Sequence, residues 1–213
     1  MPARKPCRLT ICRQKTYRHQ QGFTLIEGII AIVIMAIAMV TLTSFLFPRA
    51  EESAVPHYQA RAAAIGQAVL NEVLSRKFDE TSDPFNDSVI RCGEDGFVCS
   101  APGNLGADAG EVNSGLLNVG AADDVDDFIG CWGSETQCNG STLTRRGALQ
   151  DLVTVSAAEQ SDYRNIYLEI RVRYENDAFN GGATTVSPQK RIDVLVRTSR
   201  YGEYPFTAFR SNY

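Results

Sequence analysis

Gly22-Phe23-Thr24-Leu25-Ile26-Glu27 is the stretch on which the reading of the whole chain turns. A basic segment ends at Gly22, and a long apolar run, Phe23 to Phe47, begins directly after it. At ~1.5 Å rise per residue such a run, as a helix, is long enough to cross a bilayer core of about 30 Å. Gly28 to Val40 has no polar side chain and is rich in Ile, Val, Ala and Met, which fits a membrane helix better than a core strand. One carboxylate, Glu27, sits alone inside this run. A carboxylate in a membrane helix costs about 2.5–3.5 kcal/mol on insertion scales, so it must snorkel, protonate or find a cation. A cut between Gly22 and Phe23 would free an α-amino group one helical turn from Glu27, placing both halves of an ion pair at one end of the helix. An ordinary secretory signal is cut after its apolar region, at small residues. Here the apolar run follows the expected cut, and Thr41 to Phe47 holds no such site.

A basic leader, Gly22, Phe23, a glutamate at the fifth position after the cut and an unbroken apolar run together resemble the class III signal of type IV pilins and pseudopilins. The resemblance implies cleavage after Gly22 by a prepilin peptidase, N-methylation of Phe23, and packing of the helix into a fibre through Glu27. It also implies partners: other pilin subunits, the inner membrane and a pilus assembly platform. Later stretches are similar to MshD-type minor pilins of the mannose-sensitive haemagglutinin (MSHA) pilus. They are Leu46-Phe47-Pro48-Arg49, Tyr58-Gln59-Ala60-Arg61-Ala62-Ala63-Ala64, Lys77-Phe78-Asp79-Glu80, Asp123-Asp124-Val125-Asp126-Asp127-Phe128 and Phe209-Arg210-Ser211-Asn212-Tyr213.

Charge divides the chain at the same point. The leader carries Arg4, Lys5, Arg8, Arg13, Lys15 and Arg18 and no acid. The chain as a whole is −4 at pH 7, so without this +6 leader the remainder is −10. The basic leader stays cytoplasmic by the positive-inside rule, which sends the C-terminal domain to the other side. An acidic domain argues against nucleic acid as a partner. Cys7 and Cys12 lie in the leader; Cys92, Cys99, Cys131 and Cys138 lie beyond the stem in two C-x6-C pairs. An even count in an exported domain suggests two disulfides. Cys92–Cys99 with Cys131–Cys138 is the favoured pairing, though spacing leaves the other two open. A zinc site fits poorly, since C-x6-C is wider than the usual knuckle and no histidine is near.

These observations predict an α+β chain whose order of helix, loop and antiparallel sheet is similar to the pilin fold. A long N-terminal helix, part membrane and part amphipathic, packs on a small antiparallel sheet, with a long disulfide-stapled loop region between. The expected segments are a cleaved leader 1–22, a membrane and assembly helix 23–47, an amphipathic continuation 48–78 and a globular domain 79–213. Pro48 marks an expected bend, and Pro56 is tolerable near a helix start or bends it again. Val55, Tyr58, Ala62, Ile65, Val69 and Val73 recur at spacings of three and four, with Leu70 and Leu74 widening the stripe, and the helix is expected to end near Phe78. Ser88 to Arg91 and Asp151 to Ala157 are candidate strands. Ile166, Leu168, Ile170, Val172 and Tyr174 alternate with Tyr167, Glu169, Arg171 and Arg173; Ile192, Val194, Val196 and Thr198 repeat the pattern after the turn signal at Asn180-Gly181-Gly182. The aromatic end, Tyr201 to Tyr213, closes one edge.

Chemistry-bearing motifs are few. The only histidines are His19 in the leader and His57 on the stem, so the globular part has none for a hydrolytic triad or dyad. No P-loop, dinucleotide fingerprint or H-E-x-x-H is present, and no small-molecule substrate or cofactor is implied. Asp123, Asp124, Asp126 and Asp127, with Asp108 and Glu111 upstream, form the densest charge cluster. It reads as a solvated acidic loop, a calcium site built of hard oxygen ligands, or a docking patch for a basic partner. It lacks the EF-hand glycine and terminal glutamate. The Asn86 and Asn139 N-x-S sequons carry little weight. The reading is a structural subunit, not an enzyme: a minor pilin. A minor pseudopilin of a type II secretion system shares the stem, and a membrane-anchored, calcium-dependent binding module or adhesin is the alternative of another kind.

Overall fold

The computed structural model describes residues 22–84, 89–153, 163–179 and 181–212, leaving aside the side chains of 47–53. The readings made for the leader, the Asn86 sequon, Ser88, residues 154–157, Asn180 and Tyr213 fall outside these residues. The chain divides into two units, Met1–Arg49 and Ala50–Tyr213.

Helix α1, Leu25–Leu74, is the first element and contributes to both units. Its span includes Pro48 and Pro56. It also ends earlier than Phe78. Ser75 turns its hydroxyl back to Glu72 O at 2.6 Å. The backbone of Lys77 is then claimed by the acidic loop: its N–H bonds Asp123 O at 2.9 Å, and its carbonyl accepts from Val125 N–H at 3.1 Å. A residue bonded on both sides to another segment cannot continue the helical ladder.

Within Met1–Arg49, Leu25–Leu46 is long and apolar enough to span a membrane, and none of it is buried by the protein. In the second unit, α1 turns the predicted stripe inward. Ala62, Ile65, Val69, Leu70 and Val73 are buried, with Tyr58 and Leu74 at the margin.

That stripe meets a five-stranded sheet in the order β4-β3-β5-β6-β7. The strands are β3 Gly130–Trp132, β4 Arg145–Gly147, β5 Ile166–Tyr174, β6 Gln189–Thr198 and β7 Gly202–Ser211, with a separate two-stranded ribbon of β1 Val112–Asn113 and β2 Leu116–Leu117. β5, β6 and β7 form two long antiparallel hairpins. Ile166, Leu168, Ile170, Ile192, Val194 and Val196 point into the core, as a period of two requires. β7 forms the edge, as the aromatic C-terminal stretch suggested. Gly202, at φ 99°, opens it where an L side chain would be strained.

The sheet is mixed rather than purely antiparallel, because β3 pairs β4 in parallel. The 133–144 connection is long enough to return the chain to the same end. It holds the one-turn helix α2, Glu135–Cys138, started by a capping box from Ser134 and Gln137. Asp151 does not begin a strand. It closes the single turn α3, Leu149–Leu152, by accepting Ala148 N–H at 2.7 Å.

Candidate functional site

Two regions hold the predicted site residues. At the helix start, Thr24 Oγ1 accepts Glu27 N–H at 3.4 Å, and Gly28 N–H bonds Thr24 O at 3.1 Å. Thr24 is therefore the N-cap and Glu27 stands in the first turn, where a negative charge faces the positive end of the helix dipole. Phe23, Leu25 and Ile26 are exposed, and the apolar side chains beyond them are equally bare. In water such a surface would be far larger than a soluble monomer carries, so lipid or other helices must cover it. The polar side chains of the span serve their own helix. Thr41 Oγ1 donates to Ile37 O at 3.0 Å, Thr43 Oγ1 to Met39 O at 2.9 Å and Ser44 Oγ to Thr41 O at 2.9 Å. That is what a medium without competing hydrogen bonds demands. Among the described residues, nothing lies within 4 Å of a Cβ built on Gly22.

The second region is the acidic loop, and it is not solvated. Asp124, Asp126 and Asp127 are buried, and Asp123 is half-buried. Asp127 Oδ2 accepts the N–H groups of Asp123 and Asp124 at 2.9 and 3.0 Å, while Asp124 Oδ1 accepts those of Asp126 and Asp127 at 2.8 and 3.3 Å. The carboxylates thus stand in for backbone acceptors in a tight double turn. Lys77 Nζ bonds Asp123 Oδ2 at 2.8 Å, an interaction that raises the lysine further above its usual range. Burial pushes Asp127 up to about 7 and Asp124 up to about 9, the latter also through the charge of Asp126.

As for calcium, the oxygens of Asp79, Asp124 and Asp126 lie within 4.8 Å of one another, but Asp79 and Asp126 already bond a cation the chain supplies. Lys190 Nζ donates to Phe78 O at 2.6 Å, to Asp79 Oδ2 at 3.0 Å and to Asp126 Oδ1. A second group, Glu111, Asp123 and Asp127, is equally close. The predicted quartet is therefore split between two clusters. Asp79, Tyr174 and Lys190 are partners that the sequence reading did not assign to this loop. One signal was there: the alternation Ile192, Val194, Val196, carried one step back, points Lys190 into the core.

The disulfides are Cys92–Cys99 and Cys131–Cys138. The first is tied to the C-terminus by Asn212 Nδ2, which donates to Cys92 O at 2.8 Å. The second joins β3 to α2. His57 is exposed on α1, its ring beside Tyr58.

Residues 17–43 match the family described as the prokaryotic N-terminal methylation motif. No curated protein and no solved structure matches the chain. The motif supports a type IV pilin-like protein, and a single apolar helix bearing this signal fits anchoring in the inner membrane.

Proposed function

We propose that this chain is a minor pilin, an assembly subunit of an MSHA-type pilus. It waits in the inner membrane with residues 1–22 in the cytoplasm and 79–213 in the periplasm. A prepilin peptidase cuts after Gly22, Phe23 is N-methylated, and 23–47 enters the fibre core with 48–78 as its amphipathic continuation. The observation that carries this reading is the methylation motif laid over a capped, wholly uncovered apolar helix whose one carboxylate is Glu27. Gly22 supports it, since no contact among the described residues asks for glycine. A peptidase that must approach the backbone closely does.

Glu27 then acts twice. In the membrane it is a poorly solvated charge seeking a cation. In the fibre a neighbouring α-amino group supplies one, which selects and registers the incoming subunit. Glu27→Ala is expected to leave insertion and cleavage intact and to reduce incorporation strongly. The test compares the amount of the chain in sheared fibres with its amount in the membrane, for wild type and variant. An unchanged ratio removes Glu27 from assembly. Recovery of the chain with a secretion apparatus, and never in fibres, would favour a pseudopilin.

A further inference from the structure

The buried end of β6 holds an arrangement that fibre assembly does not use. Lys190 is wholly buried, and so is the side chain of Asp79; that of Asp126 is nearly so. The rings of Phe78 and Tyr174 lie 4.8 and 5.4 Å from Nζ. An amine and two carboxyl groups therefore meet in an enclosed, largely aromatic setting. Ion pairs so placed are expensive to desolvate, and the strength of the pairing alone is a weak reason to keep one.

The two carboxyl groups are not equivalent. Asp79 has more donors around it: Ser100 N–H reaches its two oxygens at 3.2 and 3.0 Å, and the Tyr174 hydroxyl, which donates to Ser100 O at 2.7 Å, lies 3.3 Å from Oδ2. Asp126 has fewer donors. Its Oδ1 faces Lys190, and its Oδ2 takes one N–H, from Gly106 at 3.0 Å. Beside it stands Asp124, whose Oδ1 accepts Asp126 N–H at 2.8 Å and whose carboxyl comes within 4.8 Å of that of Asp126. Burial keeps Asp124 protonated at neutral pH, so a proton carrier stands beside the carboxyl that bonds the amine.

We propose that Lys190 and Asp126 condense into an intramolecular isopeptide bond, Nζ to Cγ, with Asp124 relaying the protons. The ammonium passes one proton to Asp126 Oδ1, and the neutral amine attacks Cγ. The N–C bond forms, and the negative charge on Oδ2 meets the Gly106 N–H, a donor already aimed there. Asp124 gives its proton to the departing Oδ1–H and takes one from the nitrogen. The C–Oδ1 bond breaks, one water leaves, and a secondary amide remains. No oxidant, nucleotide or metal enters the balance. Holding the two groups in contact replaces a bimolecular encounter with an intramolecular one, and the product exchanges two buried charges for a neutral amide. The bond would close a loop between residues 64 apart in sequence, where each disulfide closes one of only 7.

The test is mass spectrometry of the full chain purified from membranes, with disulfides reduced and alkylated and the N-terminus identified separately. The expected result is a chain lighter by one water than its sequence and, after proteolysis, a branched peptide joining the Asp126 segment to the Lys190 segment. Lys190→Met should restore the full mass. Asp124→Ala should leave most of the chain unlinked, and a fully linked Asp124→Ala protein would overturn the relay. Full mass in the wild-type protein, with separate linear peptides for Asp126 and Lys190, would overturn the bond itself without relying on any variant's folding. A branch at Asp79 would overturn the choice of carboxyl.

Discussion

In the chain before any Lys190–Asp126 bond has formed, replacing Lys190 by Met keeps an unbranched stem in the core and removes the cation that two buried carboxyl groups share. Asp79 keeps the Ser100 N–H and the Tyr174 hydroxyl, and Asp126 keeps the Gly106 N–H. Among the described residues, no other cation pairs with either. Breaking a buried pair from one side costs about 3–5 kcal/mol, because the orphaned charge stays buried. In a chain of this size each kcal/mol moves Tm by about 2–4 °C, so a fall of roughly 10 °C is expected. Thermal melts of the full chain in detergent measure the effect. Glu94→Ala is the control. It removes an exposed pair with Arg91 at 3.8 Å, and such pairs contribute about 0–1 kcal/mol. A Lys190→Met loss no larger than the control's would refute the argument that this ammonium holds the acidic loop to the sheet.

Four other outcomes are expected. Cys131→Ser should cost about 2–3 kcal/mol by freeing a short loop in the unfolded chain, and a melt indistinguishable from wild type would contradict it. Gly66→Ala should destabilise by about 1 kcal/mol despite better helix propensity, because the new Cβ falls 2.5 Å from the Phe206 ring; Phe206→Leu in the same chain should recover the loss. Asp127 and Asp124 titrate higher in the fold than in the unfolded chain, at about 7 and about 9. Their contribution is complete below about pH 4 and is lost as pH rises through those values, so Tm should fall between about pH 5 and pH 9, and Asp124→Asn should flatten the upper part. Calcium and a chelator should give equal melting temperatures, since Lys190 already bonds Asp79 and Asp126 of the first group. A higher Tm in calcium would assign an ion to Glu111, Asp123 and Asp127.

The parts legible in the sequence were those with a period. The stripe from Ala62 to Val73 and the alternation along β5 and β6 each report one buried face, and the core is built from them. Composition misled where charge and burial part company. Four aspartates in five residues read as a wet loop, yet three are buried, because carboxylates can satisfy backbone N–H groups that no ladder serves. Lys190 was hidden for the same reason: its residue type says surface, and only its place in the alternation says core. Glu169 repeats the lesson on the outer face. It lies opposite Cys131 and Leu195, buried, with Arg171 and Arg197 as its ion-pair partners. The parallel β3–β4 pair and the turn at Leu149–Leu152 depend on contacts between short segments with no period of their own. The membrane segment and its signal are the opposite case. The medium imposes a composition there, so the stretch around Gly22 and Glu27 is readable without any fold.

The central claim is that the chain is processed as a pilin, and the mature N-terminus tests it most directly. The full chain is produced in a cell that has a prepilin peptidase and in one that lacks it, and the terminal peptide of each is sequenced by mass spectrometry. Processing as a pilin predicts a chain that starts at N-methylated Phe23 only where the peptidase is present, and Gly22→Val should abolish that product. A native N-terminus beyond residue 40, or one that forms equally without the peptidase, would contradict it.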